Sequence, residues 1–251
     1  MPSHDRSGLP LGLLALLLPA GLAAAALLQP PELPGAWLSA LQPPQPQLLP
    51  QDYPLDTGRE AVLFSQLDAG DRGWRPWAEP LPGGGIRYHY KRRSGEPPLN
   101  LEQIKALIRH PPSFTAERQA IATLLGDLRR VGVRVVLGPP RKQGAAGEWE
   151  PRRTVLRIRP DVPAKGSREF ARVLNHEAIH VAQSCRRGRI HARPQPLGLS
   201  RSVDPHERRN LEAPLYAGAS PLERALEEEA YANQHRLSLG SQLLQAHCRR
   251  A

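Results

Sequence analysis

His176, Glu177 and His180 stand in the order H-E-x-x-H within an apolar stretch. On a helix, residues four apart lie one turn apart on one face, so the two imidazoles can grip a single metal ion. Glu177, about 100° round the same helix, reaches a water held by that metal. This is the arrangement for hydrolysis by a metal-activated water, with the carboxylate as general base. The helix needs a side to bury, and Phe170, Val173, Leu174, Ala178 and Val181 recur at the spacing of an inward-facing stripe. Two surface histidines on an ordinary helix are the plainer alternative.

A catalytic zinc takes three protein ligands and keeps one position open, so a third ligand is expected downstream. Glu227, Glu228 and Glu229 are the candidates, on a helix whose start is marked by Ser220, Pro221 and Glu223 as a capping box. That helix is expected to run to about His247. A run of glutamates is ordinarily just a solvated face; Glu227 shares a face with Glu223 and Tyr231, and Ala230 would let two helices approach closely.

The pair of motifs, His176-Glu177-x-x-His180 and Glu227-x-Glu229-Ala230-x-Ala232, resembles the gluzincin-type zinc metallopeptidases. The resemblance covers the two helices, about a quarter of the chain. It implies an α+β, zincin-like domain, a bound Zn2+ and a peptide or protein substrate cut by a metalloendopeptidase-like hydrolase. Matched residue by residue, the ligands are His176, His180 and Glu227, with Glu177 as the catalytic base; Glu229 is the runner-up ligand. Gln183, three residues after the second histidine, also resembles zincin-like domains of unassigned role, and a non-catalytic metal-binding or partner-binding domain is the alternative function. Tyr231 stands where those peptidases often carry an Asp, so the support of the histidines is unassigned. Tyr216 and Tyr231 are both candidates to stabilise an oxyanion.

The elements that must position this chemistry follow in chain order. Leu9 to Leu28 is a stretch without a charge, rich in Leu and Ala, so residues 1–28 are expected to be a signal peptide or membrane anchor, with the rest of the chain exported. Residues 29–56 are rich in Pro and Gln and predict an extended spacer. The domain is expected over 57–251. Within it, 61–67 predicts a short helix or strand, and Trp74 and Trp77 are expected to cover a core edge. Ile86, Tyr88 and Tyr90 alternate with polar residues as a strand with one face buried. Leu99–Arg109 and Thr115–Arg130 predict helices, Val133–Leu137 a strand, and Gly138–Gly147 a loop. Thr154–Arg159 predicts an amphipathic strand, placed just before the metal helix as the rim of a cleft. Beyond Cys185 the chain reads as a basic loop through Pro214, with His191 and His206 as surface residues.

The net charge is +10, supplied mostly by arginines spread along the chain. No run is long enough for a basic arm and aromatics are 5%, so the surface favours anionic membranes or acidic partners, and no nucleic acid partner is expected. Cys185 and Cys248 are the only cysteines. In an exported chain they suggest a disulfide joining the two ligand-bearing helices, with two unpaired thiols as the alternative.

Overall fold

The structure, a computed structural model, describes residues 48–93 and 95–249. It is mixed α+β. The element order is β1 (Tyr53–Pro54), α1 (Glu60–Arg72), β2 (Trp77–Pro80), β3 (Ile86–His89), α2 (Leu101–Arg109), α3 (Thr115–Arg130), β4 (Arg134–Leu137), β5 (Gly147–Glu150), β6 (Val155–Ile158), α4 (Ser167–Cys185), α5 (Pro205–Leu211), α6 (Pro221–Asn233) and α7 (Leu239–His247). Four strands form one sheet in the order β1-β4-β6-β5, with β4 and β6 parallel and the two outer pairings antiparallel. β2 and β3 make a separate hairpin.

α4, the helix carrying H-E-x-x-H, is the centre of the molecule. An amphipathic helix with one packed side was expected. Instead Ile179, Ala182, Ser184 and Cys185 are buried along with the predicted stripe. α3, α6, α7 and the sheet all pack on it, which is why its polar residues need partners from other elements. Its first turn begins after Gly166, at φ 90° and without a capping side chain of its own. Asp71 of α1 supplies the cap: its carboxylate accepts the Ser167 N–H at 2.7 Å and the Ser167 hydroxyl at 2.6 Å. Arg118 of α3 neutralises that carboxylate at 2.7 Å. Gly70 permits the close approach, since a Cβ there would stand 2.6 Å from the Gly166 nitrogen.

Several local expectations change for identifiable reasons. The single helix expected over 220–247 is two helices, although nothing between Gln234 and Ser238 is a Gly or Pro. Asn175 of α4 explains the break: its amide donates to the carbonyls of Gln234 (2.9 Å) and Arg236 (3.1 Å), and its oxygen accepts the Gly240 N–H at 2.8 Å. The strand over Val155–Ile158 is not amphipathic but buried throughout, because β6 lies inside the sheet. Its Arg157 is fully buried and pairs with Asp52 at 2.7 Å and with Glu150. The cleft rim is therefore β5, the outer strand, which lay within and just beyond the expected Gly-rich loop. Ile86 is 56% exposed because β3 pairs only with β2. Trp77 is 53% exposed and stacks on His89 rather than covering a core edge.

Residues 48–56, expected to end the spacer, take part in the fold. β1 sits at a sheet edge, where Pro54 lacks no needed donor, and Leu55 donates to Val135 at 2.9 Å. The remainder of the spacer and the expected signal or anchor at 1–28 lie outside the described residues. Among the described residues no helix is long and apolar enough to cross a membrane. Cys185 and Cys248 form a disulfide with Cα atoms 5.0 Å apart, tying the end of α4 to the end of α7 across a separation of 63 residues. A loop of that size is worth about 4 kcal/mol in the chain-entropy account.

Candidate metal centre

Three donor atoms converge between α4 and α6. His176 Nε2 and His180 Nε2 stand 3.2 Å apart, and Glu227 Oε2 lies 3.3 Å from the first and 3.5 Å from the second. Ligand atoms 2.0–2.1 Å from a tetrahedral zinc stand about 3.3–3.4 Å from one another, so the triangle is close to one face of such a tetrahedron. Among the described residues this is the one trio of His, Cys, Asp or Glu grouped closely enough to hold a metal ion. All three are largely buried.

The imidazoles are oriented from behind. His180 Nδ1 donates to the Gln183 carbonyl oxygen at 2.7 Å, and His176 Nδ1 to that of Gln234 at 3.1 Å. The Gln183 amide is fixed in turn by donating to the Leu226 carbonyl and to Glu229, each at 3.1 Å. With both Nδ1 atoms as donors, both Nε2 lone pairs face a carboxylate oxygen and each other. Two lone pairs and an anion converging in a buried site call for a cation among them, a metal ion or a proton on His180. Burial opposes charge on His180, yet the Glu227 carboxylate outweighs it and raises the imidazole to about 9. Burial likewise opposes the Glu227 anion, and the two imidazoles overcome it, holding that carboxyl well below its usual range.

Glu177 sits beside this triangle at the base of a cleft. Its carboxyl is raised by burial, against the pull of the neighbouring imidazoles. β5 passes directly over it: a Cβ on Gly147 would stand 2.7 Å from Glu177 Cγ and 2.8 Å from Oε1. Two recesses open on either side, both touching His176, Glu177, Gly147 and Tyr216. One, about 320 Å³, is walled by Trp149, Arg193, Leu222 and Leu226; the other, about 200 Å³, by Val173, Asn210 and Tyr231.

Both candidate tyrosines reach the site. The Tyr216 hydroxyl donates to Glu227 Oε2 at 3.2 Å, and the two tyrosine hydroxyls are 3.3 Å apart. The Tyr231 ring stands edge-on to His176 with centroids 4.7 Å apart. Burial, reinforced by Glu227, pushes Tyr216 far above its usual range, and burial holds Tyr231 at about 12. Both phenols are donors at neutral pH.

Glu229, the runner-up ligand, is not with the other three. It is fully buried, accepting the N–H groups of Leu197 (2.8 Å), Gly198 (2.8 Å) and Leu199 (3.1 Å) as well as the Gln183 amide. It thus fastens the 197–199 loop to the metal helix. Gln234, Asn175 and Gly147 were not anticipated as parts of the site. Nothing local marks Gln234; Gln183, three residues from His180, shares its face and was open to such a role. Comparison with family models, curated proteins and solved structures finds no match for this chain.

Proposed function

We propose that the chain is a zinc-dependent metallopeptidase with a zincin-like, gluzincin-type site, His176, His180 and Glu227 holding Zn2+ and Glu177 acting as general base. The observation that carries this is the triangle of donor atoms at 3.2, 3.3 and 3.5 Å with Glu177 at its side. Zinc held there supplies a Lewis acid that polarises a carbonyl and brings the pKa of a water toward neutrality.

The chain's own groups do the rest. An extended peptide lies along the outer edge of β5, across the two recesses. Glu177 takes the proton of the attacking water and passes it to the leaving amine. Tyr216 and Tyr231, both protonated, donate to the oxyanion that develops on the scissile carbonyl. Gln183 and Gln234 keep the imidazoles aimed. The disulfide between Cys185 and Cys248 supports an exported setting, and a membrane partner through residues 1–28 belongs to the same proposal.

The test is zinc content together with hydrolysis of casein, with and without chelator. Glu177→Gln should keep zinc and lose about 10²–10⁴-fold in rate, whereas His180→Ala should lose the metal. Full activity in the Glu177→Gln chain would refute the mechanism. Bound zinc with no hydrolysis of casein or of a mixed peptide library would leave the non-catalytic alternative.

A further inference from the structure

The Cys185–Cys248 bond joins two stretches of chain that contain no carboxylate side chain at all. Between Glu177 and Asp204 the sequence has none, and it carries Arg186, Arg187, Arg189, Arg193 and Arg201. Glu229 is the last carboxylate side chain before the C-terminus, so the second stretch, with Arg236 and Arg249, also lacks one. The disulfide holds the two at a Cα–Cα distance of 5.0 Å, one residue before Arg186 on one side and one before Arg249 on the other.

Arg186, Arg187, Arg189, Arg193 and Arg249 are exposed. Among the described residues none of them lies within ion-pair distance of a carboxylate, whereas Arg118, Arg129, Arg157, Arg159, Arg168 and Arg172 all do. One or two cations after α4 would suffice to answer the helix dipole; the four from Arg186 to Arg193 exceed that need. The segment is also held in shape. Gly188 donates to the Cys185 carbonyl at 2.7 Å, Ala192 to Arg189 at 3.0 Å and Gln195 to Gln183 at 3.0 Å, while Ile190 packs inward against the core.

The segment ends in the cleft. Arg193 and Lys142 both line the larger recess beside His180. The two carboxylates at that wall outside the metal centre are already engaged: Glu223 by the Ser220 N–H and hydroxyl at 2.8 Å, Glu148 by the Arg141 and Lys142 N–H groups. A backbone-held segment of exposed guanidinium groups outside ion-pair distance of any carboxylate suits carboxylates in an extended chain, each fork matching one carboxylate. It has no exposed apolar wedge for insertion into a bilayer and no interleaved aromatics for stacking bases.

We infer that the segment from Arg186 to Arg193, with Arg249 beside it, is a docking surface for an acidic stretch of polypeptide, leading at Arg193 into the cleft of the metal centre. That the docked polypeptide is a substrate rests on the peptidase proposal; the docking itself does not.

The experiment uses the full chain bearing Glu177→Gln and a fluorescein-labelled oligoglutamate, followed by fluorescence anisotropy. Replacing Arg186, Arg187 and Arg189 together by Gln should weaken binding about tenfold, at a few-fold for each exposed ion pair. Raising the salt from about 0.05 to 0.5 M should weaken binding of the parent chain comparably. A control chain with Arg72, Arg75 and Arg92, which are exposed and outside both recesses, changed to Gln loses the same charge. It should bind within about twofold of the parent. Equal weakening in both triple variants overturns the inference, since net charge alone would then explain it. So does binding of vesicles containing about 30% phosphatidylserine through these arginines while oligoglutamate does not bind. If the peptide docks through these arginines but the chain with Glu177 intact cleaves nothing, the peptidase proposal falls and the docking surface stands. If that chain cleaves casein and the arginine triple binds oligoglutamate as tightly as the parent, the docking inference falls alone.

Discussion

Gly147→Ala isolates the contact between β5 and Glu177, the proposed general base. Gly147 is not among the glycines with positive φ, so alanine brings no backbone strain, only its Cβ. That atom would stand 2.7 Å from Glu177 Cγ, 2.8 Å from Oε1 and 3.0 Å from Cδ, where ordinary contact begins at 3.4 Å. Either β5 or the carboxylate must yield by about 0.7 Å. Overpacking on this scale costs about 1–3 kcal/mol, or roughly 2–12 °C in Tm for a domain of this size. A misplacement of that order at a reacting group lowers a rate by up to about 10²-fold. Zinc content should not change, because the new Cβ would touch Glu177 and none of the three proposed ligands. The decisive assay is a double-mutant cycle with Glu177→Ala, which removes the atoms that the new methyl would strike. The penalty of Gly147→Ala should then vanish, giving a coupling of about 1–3 kcal/mol in urea denaturation. Additive effects, within about 0.5 kcal/mol, would show that β5 does not press on Glu177 and would refute the geometry.

Two other perturbations reach the metal helix from a distance. Asp71→Ala removes the cap of α4 and leaves Arg118 with Asp68 alone; a loss of about 2–3 kcal/mol is expected, lowering Tm by roughly 4–12 °C. A loss below about 0.5 kcal/mol would mean that the helix does not depend on this cap. Gln183→Leu keeps the side-chain volume while taking from His180 Nδ1 its acceptor and from Glu229 one of its donors. Zinc affinity, measured by competition with a chromogenic chelator, should fall about 10–100-fold, and an unchanged Kd would count against the orienting role.

What the sequence reveals here is what is local. The H-E-x-x-H spacing and the capping box at Ser220 and Glu223 depend on residues three or four apart, and both helices begin where expected. The same holds for α3, where Ile121, Leu124, Leu125 and Leu128 recur at helical spacing and are buried. What it hides is set by residues far away in the chain. The break after Asn233 has no signal in its own residues because Asn175 makes it. Arg157 looks like the solvent side of an edge strand until Asp52, 105 residues away, is placed over it. Glu227 and Glu229 differ by two positions, which turns them about 200° apart on a helix. Which of them faces the histidines is fixed by the N–H groups of Leu197, Gly198 and Leu199, and those donate only to Glu229.

The burial of α4 finally bears on the role of Glu177. Along this helix nearly every buried polar side chain is matched by a partner. Ser167 meets Asp71, Asn175 the α6–α7 break, His176 Gln234, Gln183 Glu229 and Leu226, and Ser184 the Trp149 indole at 2.9 Å. Glu177 is the exception: it is 5% exposed, and among the described residues it makes no hydrogen bond. Its oxygens are not among the fully buried atoms that lack a partner, so they meet solvent at the cleft, while burial of the side chain raises the carboxyl. The fold satisfies its neighbours on both sides, Asn175 and His176 before it and His180 one turn on. It leaves this one group open toward the two recesses, where an incoming water or peptide would meet it. That opening suits the proposed role of general base, which requires a carboxylate free to accept a proton from the cleft.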